Sequence, residues 1–269
     1  MKKQFRVTCI QTSPIACDYE ANIFTMEKQI ENVMTLYPDT ELAVFPELAV
    51  SGYECGEKFK ELGEKEDGRS AKRLGALAAK YGIHIVFGLP LWGNDGILYN
   101  SQLLIGPDGK VIGRYDKVHL FDTEKKWFMP GKNFPVYDTA LGKIGLFICY
   151  DTFFPECARS LAVQGAELLV NSTNWEDPYA QDMTRMMTAR ALENVCYLAC
   201  CNRVGRDTQL SFFGLSRIID PRGNVIAGAV QDDTDICTAV IYAKTEEDYR
   251  HGYYTMLEER RPELYGSLI

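Results

Sequence analysis

Apolar residues recur along this chain in two alternating rhythms. Phe5 to Thr12 reads as a strand, and Tyr19 to Tyr37 as a helix, because Ile23, Met26, Ile30, Val33, Met34 and Tyr37 return at the three- and four-residue steps of one helix face. Glu41 to Phe45 is a short apolar strand closed by Pro46, which leaves Glu47 just past a strand end. A helix through Leu74, Leu77, Ala78 and Tyr81 then leads into a strand from Ile83 to Leu89. Further on, Lys143 to Cys149 is an almost unbroken apolar run, too short for a helix and typical of a strand covered on both faces. Pro155 opens a helix from Glu156 to Gln164, followed by a strand from Glu167 to Val170 and a polar loop from Asn171 to Tyr179. A helix from Gln181 to Glu193 and a strand from Val195 to Cys201 complete the regular part, and from Lys244 to Ile269 the pattern is polar and irregular.

Two stretches resemble each other. Gln102 to Gly113 predicts strand, Pro107-Asp108-Gly109 turn, strand, and Leu215 to Gly228 predicts the same around Pro221-Arg222-Gly223. Proline presets φ for a turn and glycine supplies the φ that branched residues resist. The pair suggests two similar sheet-forming halves within an α/β fold. No low-complexity linker and no break in charge divides residues 1–269, so one domain is expected.

Composition narrows the function. With 29 Lys and Arg against 37 Asp and Glu, the chain carries a net charge of −8 and no basic cluster, which argues against a nucleic-acid partner. The densest apolar stretches, Gly145 to Tyr150 and Val195 to Cys201, fall far short of the ~20 residues of a membrane span. Gln4, Arg6, Gln11 and Asp18 interrupt any signal-like apolar run, so the mature chain is expected to start at Met1. Nine cysteines, an odd number without a CxxC pair, predict buried thiols in a reducing cytoplasm rather than a disulfide framework. With only His84, His119 and His251 beside them, local spacing assembles no metal site.

Three groups with chemistry stand at predicted strand ends: Glu47, Lys117 and Cys149. In α/β sheets such positions surround ligands. A thiol near a helix start and a lysine has its thiolate favoured, and a carboxylate can take its proton. Each residue alone has an ordinary alternative, a packed thiol or a solvated charge. Their neighbours change the balance. Phe45-Pro46-Glu47-Leu48, Tyr115-Asp116-Lys117-Val118-His119-Leu120-Phe121 and Cys149-Tyr150-Asp151-Thr152-Phe153-Phe154-Pro155-Glu156 resemble, in order and spacing, the three signatures of the nitrilase superfamily of carbon-nitrogen hydrolases. Tyr99-Asn100-Ser101, Pro130-Gly131, Asn174-Trp175, Arg190-Ala191-Leu192-Glu193-Asn194 and Asn202-Arg203-Val204-Gly205 extend the match over nearly the whole chain.

That resemblance implies a four-layer αββα sandwich, with Glu47 as general base, Cys149 as nucleophile and Lys117 as oxyanion partner, aided by the backbone N–H of Tyr150. Glu124, six residues before Pro130-Gly131, takes the place of a second glutamate that positions Lys117 and the substrate. His119 is expected as a pocket wall or a supporting group, and Tyr53, Trp127, Tyr150, Phe153, Asn174 and Trp175 as pocket-lining residues. Some branches that cleave acidic ω-amides or N-carbamoyl amino acids carry an arginine shortly after the nucleophile. Thr152-Phe153-Phe154 stands there instead, which argues against a dicarboxylic-acid amide unless Arg185 or Arg203 supplies the charge. The expected reaction is hydrolysis of a small linear amide or N-carbamoyl compound, without metal or cofactor, by a homodimer whose interface would include residues 244–269. A nitrilase is the alternative within the same chemistry. A non-hydrolytic redox or scaffold protein built on Cys196, Cys200 and Cys201 is the alternative outside it.

Overall fold

Two six-stranded sheets of the same design stand face to face in the computed structural model, which describes residues 1–266. The first half of the chain runs β1 (Gln4–Gln11), α1 (Tyr19–Leu36), β2 (Thr40–Val44), α2 (Phe59–Leu62), α3 (Arg69–Tyr81), β3 (His84–Trp92), β4 (Leu98–Ile105) and β5 (Val111–Asp116). The second runs β6 (Val136–Thr139), β7 (Gly142–Ile148), α4 (Pro155–Val163), β8 (Leu168–Thr173), α5 (Ala180–Asn194) and β9 (Tyr197–Asn202). It continues through β10 (Val204–Arg206), β11 (Ser211–Phe213), β12 (Arg217–Ile219), β13 (Val225–Gly228), β14 (Asp235–Tyr242) and α6 (Ala243–Asp248).

The sheet orders β14-β1-β2-β3-β4-β5 and β6-β7-β8-β9-β12-β13 correspond strand for strand. In each, three parallel strands (β1 to β3, β7 to β9) are flanked by an antiparallel hairpin on one side and a single antiparallel strand on the other. The two predicted hairpin turns occupy matching places. Gly109 and Gly223 adopt φ of +80° and +81°, and the turns close through Gly106 N–H to Lys110 O at 2.8 Å and Asp220 N–H to Asn224 O at 2.9 Å.

Side-chain alternation builds the layers. Val7, Cys9, Leu42, Val44 and Val86 turn inward to the second sheet, while Ala43, Phe45, Ile85 and Phe87 turn outward beneath Ile23, Met26 and Ile30 of α1 and Leu74 and Ala78 of α3. Leu161 of α4 and Met183 and Met187 of α5 cover the far face of the second sheet. The result is an αββα sandwich.

Two expectations need correction. The polar segment from Asn171 is not loop at its start: β8 continues to Thr173, with Asn171, Ser172 and Thr173 all buried and the first two hydrogen-bonded. Ser172 Oγ donates to Phe45 O at 2.7 Å and accepts from Gln102 Nε2 at 2.7 Å, and Asn171 Nδ2 donates to Phe147 O at 3.2 Å. The irregular tail also begins with structure: α6 follows the unpredicted edge strand β14, and Arg250 reaches back to Ala166 O at 2.9 Å. Residues 267–269 of the expected interface tail lie outside the described residues.

Candidate active site

Glu47 leaves β2 through Phe45-Pro46 and is fully buried. Its position depends on Gly88 of β3, where an added Cβ would stand 2.4 Å from Leu48 N and 2.8 Å from Glu47 Cα. Oε1 accepts from Lys117 Nζ at 2.8 Å and from Asn100 Nδ2 at 2.7 Å. Oε2 is buried and has no partner among the described residues, so it is the oxygen free to take a proton. Burial pushes the carboxyl up from its ordinary 4.5 to about 7; Lys117 pulls against this and Glu124 adds to it.

Lys117 follows β5 directly and is held at both ends of its backbone, its N–H on Asn100 O at 2.8 Å and its carbonyl under Gly131 N–H at 2.9 Å. The ammonium bridges Glu47 and Glu124, 2.7 Å from Glu124 Oε1. Burial opposes its charge, but Glu124, Glu47 and Cys149 outweigh that cost and hold its pKa well above the ordinary value. Glu124 sits on the short helical turn Asp122–Lys126, where Tyr53 Oη donates to Oε1 at 2.6 Å and Phe121 N–H donates to Oε2 at 3.2 Å.

Cys149 is the first residue past β7 and adopts φ of +41°, a left-handed conformation costly for a side chain with a Cβ. Hydrogen bonds around the following turn hold it there. Asp151 Oδ2 accepts from Ile148 N–H at 3.0 Å and Tyr115 Oη at 2.7 Å, Oδ1 accepts from His119 N–H at 2.9 Å, and Arg190 Nε donates to Thr152 O at 2.9 Å. Burial and then Glu47 push the thiol well above its ordinary range, against the pull of Lys117. A thiol raised in this way needs a base to become a thiolate, and Glu47 is the carboxylate that acts on it most strongly.

A cavity of about 260 Å³ opens on Cys149, walled by Phe121, Tyr150, Phe153, Trp175, Glu176 and Tyr179. Of the predicted lining residues, Tyr150, Phe153 and Trp175 are there; Phe153 and Trp175 stack with centroids 5.0 Å apart. Trp175 is fixed by Asn202, whose Oδ1 accepts its backbone N–H at 2.9 Å. Asn174 is buried beside it with both amide atoms unpartnered among the described residues. Tyr53 and Trp127 line a neighbouring cleft with Glu124 instead. His119 is not a wall of the Cys149 cavity either. Its ring stacks on Phe154 at 3.6 Å, and Nδ1 lies 2.9 Å from Asp151 Oδ1, so it braces the turn that carries Cys149.

His119, Asp151 and Cys157 also bring three metal-type donor atoms within 4.8 Å of one another. The Asp151 oxygens already take the Tyr115 and backbone bonds above, so the group works as a hydrogen-bonded brace. Cys196, Cys200 and Cys201 are fully buried, and burial raises the Cys196 thiol to about 12. Cys200 and Cys201 are successive residues of β9 and face opposite sides of the sheet, which removes the basis for a vicinal redox pair. Arg203 is locked to Asp207 at 2.9 Å, and Arg185 is exposed beside Asp182, so neither brings a cation to the cavity.

Asn100 and Asp151 lie inside the motifs, and as polar residues at the ends of apolar strands they carry a usable signal of their own. Phe121, Glu176 and Tyr179 went unassigned. Glu176 was hidden because the strand before it was expected to stop at Val170.

The profile of the carbon-nitrogen hydrolase family matches residues 6–251. A probable nitrilase of Schizosaccharomyces pombe is 43% identical, with 98% of each chain covered. An omega-amidase of Saccharomyces cerevisiae is 30% identical over 100% of this chain and 97% of its own length. The crystal structure of a carbon-nitrogen hydrolase from Helicobacter pylori G27 superposes with a TM-score of 0.92 at 27% identity, covering 99% of this chain and 98% of the other.

Proposed function

The chain belongs to the carbon-nitrogen hydrolase family, and from that premise we propose that it hydrolyses a small linear amide or N-carbamoyl compound at Cys149 and releases ammonia. The observation that carries this reading is the buried Lys117 ammonium held between the Glu47 and Glu124 carboxylates, beside the Cys149 thiol at the floor of a small cavity.

The chemistry follows from the charges. Glu47 takes the thiol proton as Sγ bonds to the carbonyl carbon, and the C=O electron pair moves onto oxygen. Lys117 and the Tyr150 N–H stabilise that oxyanion, a role worth ~10² to 10³ in rate for a single donor. When the C=O bond re-forms, the C–N bond breaks, and the proton on Glu47 leaves with the nitrogen as ammonia. Water then attacks the thioester, giving its proton to Glu47, and the carboxylic acid departs as the thiol regains a proton. Glu124 keeps Lys117 charged and in place throughout. No cofactor takes part.

Ammonia release from amides, N-carbamoyl amines, N-carbamoyl amino acids and nitriles, with Cys149→Ala alongside, tests the proposal. Release that the variant loses supports it; full turnover by the variant overturns it. The S. pombe relative's name favours a second reading, nitrile hydrolysis. Carboxylate formed from a nitrile would establish it, and inertness toward nitriles would remove it. The reading also takes residues 1–269 as one domain and the protein as a cytoplasmic homodimer. Nine unpaired thiols support a reducing compartment, and Tyr253 and Leu264, 78% and 65% exposed, support an interface on the tail. Light scattering that returns a single chain's 30.4 kDa would refute the dimer.

A further inference from the structure

The chemistry at Cys149 does not use Glu176, yet Glu176 lines the same cavity. Its backbone is fixed: it bridges to Phe212 in β11, its carbonyl accepts from Tyr179 N–H at 3.1 Å, and the next residue donates to Ser211 O at 2.9 Å. No lysine, arginine or histidine forms an ion pair with its carboxylate among the described residues. The rest of the wall is aromatic. Tyr150 lies 5.0 Å from both Phe121 and Phe153, and Phe153 stacks on Trp175. Phe153 and Tyr179 are 40% and 46% exposed, rings at the mouth with a free side.

We infer that the substrate carries a cationic group, an ammonium on a short chain from the scissile carbonyl, and that Glu176 and the surrounding rings hold it. The inference rests on the amide-hydrolysis reading of this cavity and specifies its substrate class. Ring faces attract cations and a carboxylate completes the cage. The neighbouring cation Lys117 is already matched by Glu47 and Glu124, so it offers no net charge to a second carboxylate on the substrate. A net charge of −8 adds a long-range bias toward cations. The small volume calls for a substrate of a few heavy atoms rather than a drug-sized ligand.

Three amides of matched length separate the possibilities: 5-aminopentanamide, hexanamide and the monoamide of glutaric acid. The expected kcat/KM order puts the aminoamide first, about tenfold or more over hexanamide, with the acid last. In Glu176→Gln the ratio of aminoamide to hexanamide falls toward one, and Glu176→Lys turns the preference toward the acid. Ammonia release with no preference for the aminoamide overturns the inference while leaving amide hydrolysis intact. Should none of the three release ammonia, the hydrolytic reading is in question, and calorimetric titration of Cys149→Ala decides the cation site by itself. Tighter binding of 5-aminopentanamide than of hexanamide, lost with Glu176→Gln, supports it, and equal binding refutes it. Should either Glu176 variant fail to fold, the wild-type order alone decides.

Discussion

Glu47 and Glu176 occupy the same place in the two halves of the sandwich, each three residues beyond the end of a middle parallel strand, β2 or β8. Their surroundings differ. Glu47 is fully buried and bonded to Lys117 and Asn100, whereas Glu176 is half-buried among aromatic rings and in no ion pair among the described residues. Burial raises both carboxyls, Glu47 to about 7. The contrast arises from the other strand ends. Lys117 is the first residue past β5, and its counterpart past β13 is Ala229; Cys149 is the first past β7, and its counterpart past β1 is Thr12. A repeated scaffold thus offers equivalent positions, and the residues supplied at neighbouring positions set whether a carboxylate there is ion-paired and fully buried or half-buried among rings.

Removing a member of the reactive set is the strongest way to break this asymmetry. Cys149→Ala is expected to lower ammonia release by about 10⁴-fold or more, since Thr12 has no paired base and lysine to activate it; residual activity within about tenfold of wild type would refute the assignment. Lys117→Met is expected to cost about 10² to 10³ in kcat/KM through the lost oxyanion partner. It also leaves Glu47 and Glu124 buried and facing each other, so the denaturation midpoint should fall by an amount equivalent to about 3 to 5 kcal/mol. An unchanged midpoint would mean that the carboxylates find another partner.

The pH profile sharpens the comparison at smaller cost. As the proposed base Glu47 must be ionised, so kcat/KM is expected to fall about tenfold per pH unit on the acid side of an apparent pKa near 7, a value that belongs to the Glu47, Lys117 and Glu124 cluster as a whole. Asn100→Leu removes a bond that favours the ionised form and should move this limb upward. Stability runs the other way. Folded Glu47 keeps its proton to about pH 7 and the unfolded chain releases it near 4.5, so folding takes up a proton in that window. Its stabilising contribution is full below pH 4.5 and is lost as the pH rises through 7. The melting temperature of wild type relative to Glu47→Gln should therefore decline from pH 5 to pH 8; a constant difference would contradict the raised pKa.

The elements that were legible in sequence are those whose apolar period reports their burial. The face of α1, the runs of β2, β3 and β7 and both Pro-x-Gly hairpins stand where the pattern places them. The end of β8 was hidden because Asn171 and Ser172 are buried and hydrogen-bonded across or along the sheets, and Thr173 is buried beside them, where periodicity reads polar residues as solvent-exposed. The same misreading concealed the correspondence of Glu176 with Glu47. Three motifs brought Glu47, Lys117 and Cys149 to attention, and the structure brings the first two within 2.8 Å. The cavity walls were less legible, since an aromatic residue near a motif packs into the core as readily as it faces a ligand. Trp127 went to the neighbouring cleft and His119 to the brace on Asp151 for that reason.

Tyr53 marks the finest distinction between the two carboxylate sites. Its hydroxyl donates to Glu124 at 2.6 Å, giving the Lys117 cluster a buried side-chain donor. Glu124 keeps Lys117 and the Phe121 N–H when that hydroxyl is removed, so its charge remains compensated. Tyr53→Phe is therefore expected to lose one buried hydrogen bond, worth about 0.5 to 1.5 kcal/mol, and to lower kcat/KM by about two- to tenfold. Because the ring keeps its edge-on contact with Phe212, 6.0 Å between centroids, the fold should be retained. A loss beyond about a hundredfold would show that the hydroxyl acts on the substrate directly, and would move Tyr53 from support of the lysine into the reaction itself.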